Sequence, residues 1–295
     1  MKTLLSGTRS TNPERLRRWL VLFLCLFVAG CSATRLVYNQ LDWAIVWSLN
    51  GFFDLNDEQE TQLRDAVARN LEWHRRTQLP RYAQFLRELD REFAGNVSVE
   101  TLARRYDETI VFWDEFILHA IPDISVFFLS LDQTQIDDFL ENLEDHNSEL
   151  WDEYAGETAE SRIRRRERAA IKNTRRVIGR LDAEQEDLIR NYMSEMHDLA
   201  AEWMEGRRVW QAEFHDLIRA RPAEPEFSRR LTLFMIEPNR SDQIEYRRKV
   251  EENRQTVLEM CVALIEQMND KQHARLSKRL NGFAKDFEIL SVQEE

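Results

Sequence analysis

Glycine and proline are scarce in this chain, which has 8 glycines and 6 prolines among 295 residues. There is no glycine-rich phosphate loop, and no linker rich in Pro, Ser or Gly divides the chain into halves. Sustained alternation of apolar and polar residues, the pattern of a half-buried strand, is also missing. These absences argue against a phosphate-loop enzyme and against a β-rich fold.

The sequence also lacks the motifs of common enzyme classes. Its six histidines include no pair at i,i+4, no HExxH and no Glu-x-x-His, and there is no GxSxG and no CxxC. Lone histidines on amphipathic helices are usually structural. We therefore expect no catalytic residue, no metal site and no cofactor, and we expect that the protein is not an enzyme.

Basic residues are outnumbered by acidic ones, 41 against 53, and the net charge is −12. Residues 1–30 hold five of the basic residues and one of the acidic ones, so residues 31–295 keep 36 basic against 52 acidic residues. The mean hydropathy is −0.57. This balance argues against nucleic acid as a partner, and the low hydropathy argues for a water-soluble body.

One long apolar run lies near the N-terminus. Five basic residues occur within residues 1–18, and the uninterrupted run WLVLFLCLFVA follows over residues 19–29. This order is typical of a secretory signal peptide, and the run is too short to span a bilayer. The junction VAGC, ending at Cys31, resembles a bacterial lipobox. The resemblance implies cleavage before Cys31 and acylation of that residue; the alternative is an ordinary signal peptide with a chance cysteine.

Ser32 bears on the cellular location of the protein. In Gram-negative lipoproteins, Asp after the lipidated cysteine is typical of retention in the inner membrane. Ser32 therefore implies the outer membrane, with a body that faces the periplasm; the periplasmic face of the inner membrane is the alternative. With Cys31 acylated and Cys25 removed, Cys261 has no disulfide partner, and we expect it to be a buried, unreactive thiol.

Apolar residues recur at every third or fourth position, which predicts amphipathic helices. We expect an all-α fold, an elongated multi-helix bundle of about seven to nine helices behind a cleaved lipoprotein signal peptide. The expected domains are a leader (residues 1–30), a lipidated tether (31–35) and a single helical periplasmic domain (36–295). Prolines 80, 122, 222, 225 and 238 mark breaks or kinks. The main apolar stripes run over residues 102–120, 136–154, 188–217 and 276–290.

A pentad ending in Gln recurs where helices are expected to begin. It has the form of a capping box, in which the N-cap side chain accepts from the N3 amide and the N3 Gln accepts from the N-cap amide. It also resembles the LTxxQ motif of small periplasmic helical chaperones, which form cradle-like dimers and act without ATP. The pentads are Leu55–Gln59, Leu129–Gln133, Leu181–Gln185 and Met268–Gln272, with a looser copy at Val97–Thr101.

Other segments resemble a family of uncharacterised Gram-negative lipoproteins. They are LVYN from Leu36, WHRR from Trp73 and LPRY from Leu79, together with the later helix starts LSLDQ, LDAEQ and NDKQ. The likeness spans most of the chain and implies a lipoprotein. No activity is known for that family, so the resemblance assigns no functional residue.

Charge is distributed most unevenly in the middle of the chain. Residues 132–160 contain eleven acids and no Lys or Arg, whereas residues 161–176 contain eight basic residues and one acid. The basic segment is a candidate docking patch for an envelope protein or an anionic lipid, because arginine binds phosphate and carboxylate groups in a bidentate manner. The alternative is pairing with the acidic run, beginning with Glu160 and Arg164 at i,i+4. The basic residues are Arg162, Arg164, Arg165, Arg166, Arg168, Lys172, Arg175 and Arg176.

A dense apolar segment follows the predicted anchor. It includes Trp43, Trp47, Phe52 and Phe53. Such a segment can lie on the membrane surface as an interfacial helix, or it can dock into the core of its own domain. Taken together, the sequence predicts an outer-membrane lipoprotein with a non-catalytic binding or scaffold body. An ATP-independent periplasmic chaperone is the second hypothesis, and the oligomeric state stays open.

Overall fold

The computed structural model describes residues 31–236 and 244–293. Within these ranges the ordered elements are all helical and no strand is present. The predicted all-α class is therefore confirmed for the described part of the chain. The predicted leader, residues 1–30, lies outside the described residues, as does Pro238. Cleavage of the leader and an elongated shape stay predictions.

The helices follow one another through short connections. In chain order they are α1 (Cys31–Tyr38), α2 (Leu41–Phe53), α3 (Asp57–Trp73), a π-helical turn (His74–Gln78), α4 (Leu79–Phe93), α5 (Val99–Ser130), α6 (Gln133–Ala155), α7 (Ala159–Ile178), α8 (Ala183–Glu195), α9 (Ala200–Ala220), α10 (Glu226–Ile236), α11 (Ile244–Glu266) and α12 (Asp270–Val292). The described ranges alone therefore contain more helices than the number expected from periodicity, which was about seven to nine.

One reason for the larger number is a break within the stripe over residues 188–217. Residues 196–199 leave the helix, so the stripe is divided between α8 and α9. Asn253 of α11 accepts from the backbone N–H of His197 at 2.7 Å and donates to its carbonyl at 3.1 Å. Arg166 of α7 donates to the same carbonyl at 3.1 Å. Side chains from other helices thus take over backbone hydrogen bonds at the break.

Two prolines have different effects on their helices. Pro122 lies inside α5, which continues from Val99 to Ser130, so this proline does not end the helix. Pro80 follows the π-helical turn, in which the N–H of Leu79 donates to the carbonyl of His74 five residues earlier. Pro80 has no N–H and therefore cannot donate the hydrogen bond that a regular α-helix requires at its position. The wider π-helical turn lies directly before this residue.

Apolar side chains form two main cores. The first core takes residues from α2, α5, α6, α9 and α10, and its fully buried members include Ile136, Leu217 and Phe227. The second core takes residues from α7, α8, α11 and α12, and Ile189 is its fully buried member. A smaller cluster of Val97, Leu102 and Leu258 lies beside the second core. α12 packs along α4, and α1 packs on α12.

Candidate functional site

Two of the helix-start glutamines meet in the interior. Gln59 at the start of α3 and Gln135 at the start of α6 exchange two hydrogen bonds, with each Nε2 donating to the partner Oε1 at 2.9 Å. Gln59 Nε2 also donates to the carbonyl of Ser130, and Gln135 Nε2 donates to that of Asp54. Each Oε1 accepts in addition from the N-cap amide of its own helix. Both side-chain amides therefore use all their donors and acceptors. We call this pair the first glutamine clasp.

The second glutamine clasp repeats this arrangement. Gln185 of α8 and Gln272 of α12 donate to each other at 3.0 and 2.9 Å. Their second donors go to the carbonyls of Gln267 and Arg180, at 3.1 and 2.8 Å. The residue before the N-cap packs against the adjoining core: Leu131 is buried and Leu55 partly buried at the first core, and Leu181 and Met268 are buried at the second. One clasp therefore adjoins each core.

The first glutamine clasp shows that the predicted start of α6 was wrong by two residues. At α6 the N-cap is Asp132 and not Ser130, and the N3 glutamine is Gln135 and not Gln133. The segment LSLDQTQ contains two overlapping pentads, and only the second one brings its glutamine to Gln59. Capping boxes form as predicted at Asn56, Asp182 and Asn269. All four glutamines of the clasps are buried, so the motif serves the fold.

The predicted acylation site and sorting residue, Cys31 and Ser32, are the first two residues of α1. The helix is fixed to α12 by an ion pair in which Arg35 Nε lies 3.3 Å from a carboxylate oxygen of Asp286. The Asp286 side chain is 3% exposed. Burial raises the pKa of this carboxyl, and the charge of Arg35 opposes that effect.

The end of α1 is fixed to the π-helical turn. The hydroxyl of Tyr38 lies 2.8 Å from Nδ1 of His74, and the guanidinium of Arg75 lies 5.1 Å from the centre of the Tyr38 ring. Burial, assisted by the charge of Arg75, lowers the pKa of His74 to about 4, and burial raises the pKa of Tyr38. Both side chains are therefore uncharged at neutral pH, and their hydrogen bond needs no counter-ion.

The apolar segment that follows divides between the core and the surface. Phe53 is 4% exposed and stacks on Phe139 of the first core with ring centres 4.7 Å apart, and Phe52 packs against the same core. Trp43 and Trp47 are 54% and 44% exposed, and their rings stack on each other with centres 5.9 Å apart. We call these two residues the tryptophan pair.

Half of the predicted basic patch is bound within the protein. Among the described residues that pair with it, only Glu157 belongs to the acidic run of residues 132–160, because Asp198 and Glu186 come from α8 and its C-terminal connection. This differs from the pairing expected between neighbouring segments. The contacts are Arg162 with Asp198, Arg165 with Glu157, Arg166 with the carbonyls of Met196 and His197, and Arg175 with Glu186.

The other half of the patch forms a stripe at intervals of four along α7, which we call the basic stripe (Arg164, Arg168, Lys172 and Arg176). The first three side chains are exposed and the fourth is half-buried. Among the described residues, no carboxylate forms an ion pair with any of the four. The expected Glu160–Arg164 contact is not formed. The pKa of Glu160 is lowered first by backbone and Thr158 hydrogen bonds, and the charge of Arg164 is a lesser cause.

α5 exposes the middle of its apolar stripe. Tyr106, Ile110 and Trp113 are 47%, 43% and 54% exposed, whereas Leu102 and Ile117 on either side of them are buried. Periodicity predicted the helix correctly, and the structure shows that only the ends of the stripe face a core.

Within the described ranges, no three His, Cys, Asp or Glu residues are grouped as a metal site requires. Cys261 is half-buried against the second core, and burial raises the pKa of its thiol. None of the helices that the structure describes combines the length and the apolar character needed to cross a membrane.

The fold and the clasps define an all-helical protein built on paired helix starts. The chain belongs to a family of unknown function, DUF6279, whose model matches residues 51–247. The match begins within α2, ends within α11, and includes the first clasp and the whole of α7. No curated protein and no solved structure matches the chain.

Proposed function

We propose that the protein is a lipid-anchored, non-catalytic binding or scaffold body of the cell envelope. Acyl groups on Cys31 hold it in the outer membrane, and the helical body faces the periplasm. The signal-like residues 1–30, the lipobox and Ser32 support this anchor. The position of Cys31 as the first residue of α1 is compatible with it, because acyl groups attached there precede the helical body.

The binding face in this proposal is the basic stripe of α7. Its charges recur at intervals of four without a carboxylate partner among the described residues, whereas neighbouring arginines of the same helix form ion pairs within the chain. This separation is the observation that carries the proposal. The chain as a whole is strongly acidic, so the stripe is a local site for an anionic partner on a body that otherwise repels one. Carboxylates of an envelope protein and phosphates of lipid headgroups both have the required chemistry.

The stripe is tested by neutralising it as Arg164→Gln/Arg168→Gln/Lys172→Gln. A matched control neutralises three arginines that pair with a glutamate three residues earlier on their own helix, as Arg208→Gln/Arg229→Gln/Arg248→Gln. Each variant is cross-linked in cells, purified by affinity and analysed by mass spectrometry. We expect the stripe variant to lose the partner that the wild type and the control retain.

The outcomes of this experiment separate the two partner chemistries. A recurrent envelope protein that is lost only in the stripe variant supports protein docking. If no protein is recovered, binding of each variant to vesicles with and without anionic lipid is measured. A loss of anionic-lipid binding that is confined to the stripe variant supports lipid phosphates as the partner. If the stripe variant and the wild type behave alike in both assays, the stripe is not the binding face.

The anchor is tested separately by Cys31→Ser. We expect this variant to leave the membrane fraction, because the acyl chains attach to the residue that has been replaced. Retention of the variant in the outer-membrane fraction would count against the lipid anchor, and the stripe experiment is unaffected by that result.

The second candidate function is an ATP-independent chaperone, and the exposed middle of the α5 stripe favours it. Tyr106, Ile110 and Trp113 present an apolar surface that unfolded chains can contact. The glutamines of the pentad are buried in the clasps and are not part of such a surface. If the protein prevents aggregation of an unfolded outer-membrane protein and Ile110→Ser/Trp113→Ser abolishes this activity, the chaperone hypothesis replaces the scaffold.

A further inference from the structure

α2 has exposed apolar side chains on its solvent-facing side, where a helix that packs on a core is usually polar. Its inner side contributes Val46, Leu49 and Phe53 to the interior. Its outer side carries the tryptophan pair, with Trp43 more than half exposed. Helices that pack on a core normally present charged and polar side chains to water. α2 therefore has apolar side chains both toward the core and toward the solvent.

The segment that carries the tryptophan pair is almost uncharged. Residues 36–53, LVYNQLDWAIVWSLNGFF, contain Asp42 as their one charged residue, in a chain that is 32% charged. Leu36 of α1, which precedes the pair in the same segment, is also an exposed apolar residue, at 66%. A partner that binds through ion pairs finds little to contact here, whereas an apolar environment fits the surface.

This surface lies close to the predicted anchor. α1 is about 12 Å long at 1.5 Å per residue, and Trp43 follows only a few residues after its end. The chain between Cys31 and Trp43 therefore spans at most about 25 Å. Moreover, α1 is fixed to the body through Arg35–Asp286 and Tyr38–His74. The position of the anchor thus determines which side of the body meets the membrane.

We infer that Trp43 and Trp47 lie in the interfacial layer of the membrane that holds Cys31. Tryptophan is enriched at this depth because its ring is largely apolar and its indole N–H keeps a polar partner. The pair acts as a second contact beside the acyl chains and sets the orientation of the helical body on the lipid surface. The inference rests on the proposed anchoring at Cys31.

The test uses the full-length, lipidated protein reconstituted in phosphatidylcholine vesicles. Lipids brominated on their acyl chains quench the fluorescence of tryptophans that they contact. The variant is Trp43→Phe/Trp47→Phe, and the matched control is Trp113→Phe/Trp151→Phe, which replaces two tryptophans that are 54% and 50% exposed elsewhere on the body. We expect quenching of the wild type and the control, and the loss of most of this quenching in the Trp43/Trp47 variant.

Equal quenching of the Trp43/Trp47 variant and the wild type, or no quenching in either, would overturn the inference. A wild type that is dimeric in detergent, with a monomeric Trp43/Trp47 variant, would also overturn it by assigning the pair to a second copy of the chain. Fractionation of wild type and Cys31→Ser distinguishes the two levels of the proposal. If Cys31→Ser is released from membranes but the tryptophan pair of the wild type is not quenched, only the present inference is rejected. If the wild type itself is absent from membranes, the anchor at Cys31 is rejected.

Discussion

Gln59 and Gln135 form a reciprocal side-chain amide pair, and both of its Nε2–Oε1 distances are 2.9 Å. The two residues are 76 positions apart in the chain, and Gln185 and Gln272, which are 87 positions apart, form an equivalent pair. Each glutamine closes the capping box of its own helix and also donates to a backbone carbonyl within the few residues that precede the partner helix. The pentad therefore joins distant helix starts, in addition to capping each helix locally.

The first prediction concerns Gln135→Ala. This change removes the donor and the acceptor that pair with the buried amide of Gln59, and it removes the half of the α6 capping box in which the N–H of Asp132 donates to Gln135 Oε1. We expect the free energy of unfolding to fall by about 2–4 kcal/mol, measured by urea denaturation. The control Gln133→Ala changes an exposed residue of the same helical turn, and we expect a loss below about 0.5 kcal/mol. Equal losses at the two positions would mean that α6 begins in the other register.

The second prediction is that the residues of a clasp are energetically coupled. Gln185→Leu and Gln272→Leu each leave the partner amide unsatisfied in the interior, whereas the double variant removes both polar groups together. We therefore expect the double variant to lose less stability than the sum of the single variants, by about 1–3 kcal/mol in a double-mutant cycle. Additivity within about 0.5 kcal/mol would contradict a direct amide pair.

Local features of the fold were predictable because they depend on residues within one or two turns of a helix. The caps at Asn56, Asp182 and Asn269 and the helical stripes are of this kind. The pairing of the glutamines was not predictable, since nothing in a single pentad indicates which other helix start it contacts. The overlapping pentads at α6 show the same limit, because only the position of Gln59 selects between them.

The candidate site was predictable in composition but not in detail. The sequence identified all eight basic residues of α7, yet their separation into a half bound within the chain and the basic stripe depends on acids such as Asp198 and Glu186, which lie beyond the acidic run. Similarly, an apolar stripe does not indicate how much of its length a neighbouring helix covers, and α5 exposes Trp113 for that reason. Cellular location rests on the sequence alone and stays a prediction.

The third prediction concerns pH and His74. Burial lowers the pKa of His74 to about 4 in the folded protein, whereas the ordinary value of 6.5 applies to the unfolded chain. Between these values the unfolded chain binds a proton that the folded protein excludes, so this residue makes the free energy of unfolding fall as the pH drops from 6.5 toward 4. The decrease reaches about 3 kcal/mol at most. We expect His74→Gln to remove this part of the pH dependence in urea denaturation series, and His146→Gln on α6 to retain it. A wild-type slope in the His74 variant would contradict the assignment.

The last prediction concerns the contact between α4 and α5. Arg105 of α5 is 13% exposed at its side chain and lies 2.8–2.9 Å from carboxylate oxygens of Glu88, Glu92 and Glu108. Hydrogen bonding to Arg105 is the main cause that lowers the pKa of Glu92. Arg105→Ala leaves three nearby carboxylates without this cation, and we expect a loss of about 1–3 kcal/mol in the free energy of unfolding at pH 7.

The pH dependence of this loss distinguishes charge from packing. If the loss comes from unpaired carboxylates, it shrinks as the pH falls below their ordinary pKa values, because protonated glutamates no longer repel one another. A loss that is the same at pH 3.5 and pH 7 would instead assign it to packing of the Arg105 side chain over the ring of Phe85, 5.7 Å away. Arg104→Ala is the matched control, since the Arg104 side chain is 65% exposed and, within the described part of the chain, pairs only with Glu92 at 3.5 Å. We expect it to change stability by less than about 0.5 kcal/mol.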